Sequence, residues 1–171
     1  TFFCIGRNVS DHQDIYRRIL DEGHSVGNHS YDHLNGWKVK DNDYISNVLK
    51  ASEVIDSKLF RPPYGRIRRF QSAVLRKKIA AAAREGATPQ TGFTIIMWSV
   101  LSADWDQNID GERCYQNVVL HAGPGDIVVF HDSAKALPRL EVALPKVLAW
   151  YRGKGYRFER LDPTQLQWAA K

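Results

Sequence analysis

Short apolar, β-branched runs alternate with longer amphipathic stretches along this chain, and that alternation constrains the fold more than any other feature. The run Ile127-Val128-Val129-Phe130, bounded by Asp126 and His131, has the pattern of a strand buried on both faces. Phe93 to Trp98 reads as a strand by its β-branched and aromatic content. Thr1 to Gly6, His24 to Asn28 and Tyr156-Arg157-Phe158 are shorter candidates. Between them, Ser10 or Asp11 can cap a helix that runs to Asp21-Glu22 and stops at Gly23. Asp41 or Asn42 can cap a second, in which Tyr44, Ile45, Val48, Leu49, Ser52 and Ile55 are spaced for one buried face. Further helices are expected over 70–85, 112–121 and 138–152. Strands alternating with helices predict an α/β layer or barrel built on a parallel sheet. Chemistry in such folds gathers at the carboxyl ends of the strands.

Four segments with chemical content fall at those ends. In His29-Ser30-Tyr31-Asp32-His33 two imidazoles stand four residues apart, a spacing that on a helical turn puts both on one face. Two neutral imidazoles so placed can share a divalent ion of the zinc type. Arg61-Pro62-Pro63-Tyr64-Gly65 holds two successive prolines, which fix an extended, rigid turn. Ser99 to Trp105 and His131-Asp132 complete the set. His12, His24 and His121 belong to none of these segments and read as structural.

Those segments, in this order, resemble the polysaccharide deacetylases of the NodB-homology type, carbohydrate esterase family 4. The first matches the family's H-S/T-x-x-H metal motif and the second its R-x-P-Y/W-G element. Trp98 to Trp105 is similar to the fourth motif, Val129-Phe130-His131-Asp132 to the L-x-H-D motif, and Thr1 to Gly6 to the A-T-F-F-x-I-G strand. The resemblance covers nearly all of 1–171, taken as one domain, and implies a distorted (β/α) barrel. It implies metal-dependent removal of N- or O-acetyl groups from a polysaccharide such as peptidoglycan or a chitin-type glycan. Carried over residue by residue, His29 and His33 would ligate zinc, or else cobalt, nickel or iron. Ser30 would hold their turn by hydrogen bonding. The Tyr64 backbone N–H would stabilise the oxyanion, Arg61 would orient the catalytic aspartate, and His131 would protonate the leaving group. Trp105, Val129 and Pro63 would bind substrate around the acetyl methyl. A bacterial envelope or secreted location is suggested by the family alone.

Two departures accompany the matches. The family's first motif, T-F-D-D-G, which carries the base and the third metal ligand, has no counterpart, and Thr1 to Gly6 begins in mid-strand. The expectation is a domain lacking its first strand, N-terminally incomplete and impaired as given; the alternative is a non-catalytic glycan- or metal-binding relative. Leu101 also stands where the family often has an aspartate, three residues before Asp104, so His131 has to be tuned by another group.

Composition narrows the partners. A hydrophobic share of 43% against 25% charged is that of an ordinary folded domain, and no apolar run is long enough to span a membrane. The two cysteines, Cys4 and Cys114, make no disulfide framework. A net charge of +5, densest at Arg66, Arg68, Arg69 and Arg76-Lys77-Lys78, admits an anionic partner. Nucleic acid is not expected, because no binding module or interleaved aromatic set accompanies those cations. A solvated helix face is the plain reading of the run, and an anionic envelope polymer is compatible with it.

Overall fold

The computed structural model describes residues 1–78 and 92–162, which divide into two compact units, 1–78 and 92–96 with 160–162, and Met97–Glu159. In the first unit four strands form a parallel sheet in chain order: β1 (Phe2–Cys4), β2 (Val26–Asn28), β3 (Leu59–Phe60) and β4 (Thr94–Ile95). The register pairs Phe3 with Gly27, Asn28 with Phe60 and Phe60 with Ile95, so each strand delivers its C-terminal end to the same edge. The crossovers carry α1 (Gly6–Asp11), α2 (Gln13–Asp21), α3 (Asp41–Ala51) and α4 (Arg69–Lys78). A parallel pair needs such crossovers, which is why the strand and helix signals alternate in sequence.

Two apolar clusters hold this unit together. Tyr44, Ile45 and Val48 of α3 meet Phe60, Leu75 and Phe93 in one, and Val9, Tyr16, Val26, Ala51 and Ile55 form the other. Tyr44 is fully buried, and among the described residues its hydroxyl has no hydrogen-bond partner. A buried hydroxyl without a partner costs about 1–3 kcal/mol, so Tyr44→Phe should raise stability by about 1 kcal/mol in urea unfolding. A loss of stability would show that the hydroxyl is satisfied.

The second unit contains one parallel pair, β5 (Val100–Leu101) with β6 (Val128–Val129), in the register Val100–Val128 and Leu101–Val129. Its helices are α5 (Gly111–Val119) and α6 (Leu137–Gly153). Val100, Val118, Val147 and Tyr151 form its core. The Asp110 side chain caps α5 by accepting from the Arg113 N–H.

The expected α/β class is what forms, with four corrections. The expected helix over 10–22 starts at Gly6 and is interrupted at His12, whose ψ of 61° breaks the helical path. Asp41 does not cap α3; it is drawn instead to Arg68 and Gln71. That partnership holds the Asp41 carboxyl below its ordinary range, chiefly through the Arg68 hydrogen bond. No strand forms at Tyr156-Arg157-Phe158, which pairs with no strand among the described residues. Finally, His29 to His33 is not a helical turn. The C-terminal part of the helix expected over 70–85 lies outside the described residues. No helix among them is long and apolar enough to cross a membrane.

Candidate active site

The candidate site residues fall into two groups of side chains, one in each unit. In the first, the loop after β2 brings the His29 and His33 rings to 4.9 Å between centroids, in edge contact. Left-handed backbone at Ser30 (φ 61°) and His33 (φ 57°) folds the loop back on itself, and this curl replaces the helical turn that the spacing suggested. Non-glycine residues adopt that conformation only where the surroundings impose it. Here two asparagines supply the constraint. Asn28, fully buried, accepts the Ser30 N–H at 2.8 Å and donates to the Val48 carbonyl at 3.0 Å. Asn47 of α3 accepts from the N–H groups of Tyr31 and Asp32 and donates to the Asp32 carboxylate at 2.7 Å. Arg7 holds the other oxygen of Asp32.

Ser30, expected to secure the turn, does not do so through its side chain. Its buried hydroxyl has no hydrogen-bond partner among the described residues, while its backbone carbonyl accepts from Gly6. Apart from the local Asn28–Ser30 bond, the partners of these asparagines lie about a helix away in sequence, and spacing carries no sign of that.

The His29 ring is oriented by the segment after β3. Its Nδ1 lies 2.6 Å from the Arg61 carbonyl oxygen, which can only accept, so Nδ1 carries the proton and Nε2 keeps its lone pair. This is how ligating imidazoles are usually held. The tautomer, the edge contact with His33 and the all-nitrogen donor pair fit a borderline divalent ion such as zinc. No group of three or more His, Cys, Asp or Glu able to hold a metal occurs among the described residues, so the fit extends to two ligands.

Arg61 itself is 91% buried by its 9% exposure. Burial pulls its guanidinium down to about 10, still cationic at neutral pH. Its Nε donates to the Ile96 carbonyl, and its guanidinium carbon lies 4.1 Å from the Phe3 ring centroid. Pro62 and Pro63, both buried, carry the chain into a 3₁₀ turn, Pro63–Gly65. In that turn the Gly65 and Arg66 N–H groups close onto the Pro62 and Pro63 carbonyls. The Tyr64 N–H enters neither of those bonds. Tyr64 has φ 58°, and its exposed ring meets His33 at 4.7 Å.

In the second unit His131 follows β6, and its Nδ1 lies 2.8 Å from Oδ1 of Asp104. The other oxygen of the same carboxylate accepts the His131 backbone N–H at 2.6 Å. Asp104 is fully buried, and its own carbonyl accepts from Arg139. Ala103, at φ 62°, turns the chain so that Asp104 points to His131 and the Trp105 ring edges onto it at 5.0 Å. Ser102 ties this turn to β6 by donating from both its N–H and its hydroxyl to the Val129 carbonyl. Val129 is buried, while Trp105 is 37% exposed.

Asp104 is therefore the group that orients His131 where Leu101 offers no carboxylate. In sequence it looked like an ordinary loop aspartate before a tryptophan; only the β5–β6 pairing brings it to a histidine 27 positions later.

The family model described as polysaccharide deacetylase matches residues 1–83. A peptidoglycan-N-acetylglucosamine deacetylase of Bacillus cereus is 32% identical over 98% of this chain and 58% of its own length. A second such enzyme of the same organism is 31% identical over 92% of this chain and 71% of its own length. Among solved structures, a family 4 carbohydrate esterase from Streptomyces lividans, in complex with acetate, superposes with a TM-score of 0.77 at 26% identity. That match covers 96% of this chain and 80% of the esterase. The chain spans 58% of the length of the first of these curated relatives, and the same share of a further Bacillus cereus peptidoglycan-N-acetylglucosamine deacetylase that is 33% identical over 93% of this chain.

Proposed function

This chain belongs to the polysaccharide deacetylases of carbohydrate esterase family 4, and we propose that it removes acetyl groups from a polysaccharide of peptidoglycan or chitin type with the help of a divalent metal, most simply zinc. The substrate class is supported by what the relatives act on: peptidoglycan for the Bacillus proteins and chitin for a Saccharomyces cerevisiae chitin deacetylase, 29% identical over 86% of this chain. The observation that carries the metal is the pair of abutting imidazoles with the Nδ1 of His29 tied to the Arg61 carbonyl.

In this reading His29 and His33 hold the ion through their ring nitrogens. The bound ion supplies a Lewis acid and a water of lowered pKa. The Tyr64 N–H donates to the oxygen that becomes negative as the acetyl carbonyl is attacked, a fixed dipole of the kind that dominates such reactions. His131 gives a proton from Nε2 to the departing nitrogen or oxygen, while the buried Asp104 carboxylate keeps Nδ1–H in place. Trp105 and Val129 would line the acetyl methyl, where one misfit methylene costs about 1–3 kcal/mol, and Pro63 would contact substrate within its own unit. Arg61 contributes positive charge beside the first two ligands. Among the described residues we assign the base to none, and with two protein ligands among them turnover is expected to be low.

Metal analysis of the purified chain after zinc or cobalt loading, alongside acetate release from acetylated chitooligosaccharide, peptidoglycan and xylan, tests the proposal. The expected result is metal bound in a one-to-one ratio, with slow acetate release that a chelator stops. A chain that takes up no metal would overturn it. The two-ligand set among the described residues favours one second reading, a glycan- or metal-binding relative without catalysis. Metal uptake with no acetate release from any of the three polymers would select it.

A further inference from the structure

We infer that Trp37 and Arg66 form a saccharide subsite for an N-acetylated glycan that carries carboxylates, an assignment that rests on the polysaccharide reading above. Trp37 closes the loop that bears His33, and Arg66 leaves the turn that bears Tyr64. Tyr64 meets His33 ring to ring, and Arg66 meets Trp37 with its guanidinium 4.1 Å from the ring centroid. The two contacts therefore lie side by side along one pair of segments. At most about 14 Å of extended chain separates the Cα atoms of His33 and Trp37, the span of a short oligosaccharide.

Trp37 is 53% exposed yet held at several points. Its backbone N–H donates to Asn35, its indole N–H to the Ile67 carbonyl at 3.4 Å, and its carbonyl accepts from Arg68 at 2.7 Å. Gly36 makes the docking possible: a Cβ there would come within 2.5 Å of the Arg66 carbonyl oxygen. Gln71 in turn donates to the Gly36 carbonyl at 2.8 Å. An exposed aromatic is ordinary when it is loose, since scattered surface apolar residues need no explanation. One whose backbone and indole N–H are both fixed is pre-organised, and pre-organisation lowers the entropy cost of binding a flat apolar face such as that of a pyranose.

The cation beside it selects for charge. Beyond Arg66 the groove along α4, about 510 Å³, is lined among the described residues by Arg69, Arg76 and Lys77 and by Arg68, which is already paired with Asp41. Arginine recognises carboxylate with two parallel hydrogen bonds. The basic stretch that sequence alone left as a solvated helix face is thus placed to read carboxylates hung on a glycan.

Calorimetric titration of the 171-residue chain with chitotetraose, which is neutral, and with a peptidoglycan tetrasaccharide bearing lactyl carboxylates tests this. The carboxylated sugar should bind at least about fivefold more tightly. Trp37→Ala should weaken both sugars at least about tenfold, Trp37→Phe should keep most of the affinity, and Arg66→Gln should erase only the preference, all with unchanged metal uptake. Undiminished affinity in Trp37→Ala, a preference that survives Arg66→Gln, or no sugar binding by the parent would each overturn the subsite. Sugar binding that depends on Trp37 in a chain that takes up no metal would leave the subsite standing and remove the hydrolase reading instead.

Discussion

Replacing His29 by alanine should lower zinc or cobalt affinity by well over about 100-fold, more than the loss of an outer partner of a ligand usually costs. Three observations fix the size and the direction. The ring is held by the 2.6 Å contact of Nδ1 with the Arg61 carbonyl, so its Nε2 is pre-aimed and little ordering is needed when an ion arrives. It abuts the His33 ring at 4.9 Å between centroids, so one ion is expected to engage both rings with little backbone movement. No His, Cys, Asp or Glu cluster among the described residues could replace it. His33→Ala should act alike, whereas His121→Ala should bind as the parent does, because that ring, just past the end of α5, bonds to the Asn117 carbonyl of that helix. Competition against a chromophoric chelator gives the affinities directly. Equal uptake by His29→Ala and the parent would remove the metal centre from this loop.

Asp104→Ala should destabilise the protein by about 2–3 kcal/mol and lower its urea midpoint by about 1 M. The carboxylate is fully buried and accepts two hydrogen bonds from His131, one from the ring and one from the backbone. Removing it leaves the backbone N–H without an acceptor and opens a void beside β6. Burying a carboxylate is itself costly, which offsets part of the loss and keeps the figure below the sum of two charge-assisted bonds. Asp104→Asn should fall between the two, since an amide can accept one of the bonds but turns an N–H₂ towards the other donor. In any form that releases acetate, either change should cut the rate about 100-fold or more, because the acid loses its orientation. An unaltered urea midpoint for Asp104→Ala would show that the carboxylate is dispensable to this turn.

These predictions treat the two groups of residues separately, and each is self-contained in its own unit. His29, His33, Arg61, Pro63 and Tyr64 are positioned by the ends of β2 and β3, within the Thr1–Ile96 unit. Asp104, Trp105, Val129 and His131 are positioned by β5 and β6, within Met97–Glu159. In both, the strand pairing is short and the loops that follow it are bound by buried polar side chains: Asn28 and Asn47 in one, Ser102 and Asp104 in the other. A loop held this way can keep non-glycine residues at positive φ, as at Ser30, His33, Tyr64 and Ala103.

The amino-acid sequence determined the class of fold, because the periods of its apolar residues are local: Val128-Val129 lies in an apolar run of strand length, buried at Val129 and half-buried at Val128, and Tyr44, Ile45 and Val48 are spaced to share a helix face. Through the family's motifs it also pointed to the residues proposed to bear chemistry, His29, His33, Arg61, Tyr64 and His131. Tertiary structure alone decided how the histidines are arranged. A spacing of four suggested a helix, and the chain instead curls through two left-handed residues, because Asn28 and Asn47 offer hydrogen bonds that a helical turn would forgo. It decided likewise that Asp104 serves His131 and that Ser30 does not hold its turn, for a hydrogen bond between residues far apart in the chain exists only once the strands between them have paired.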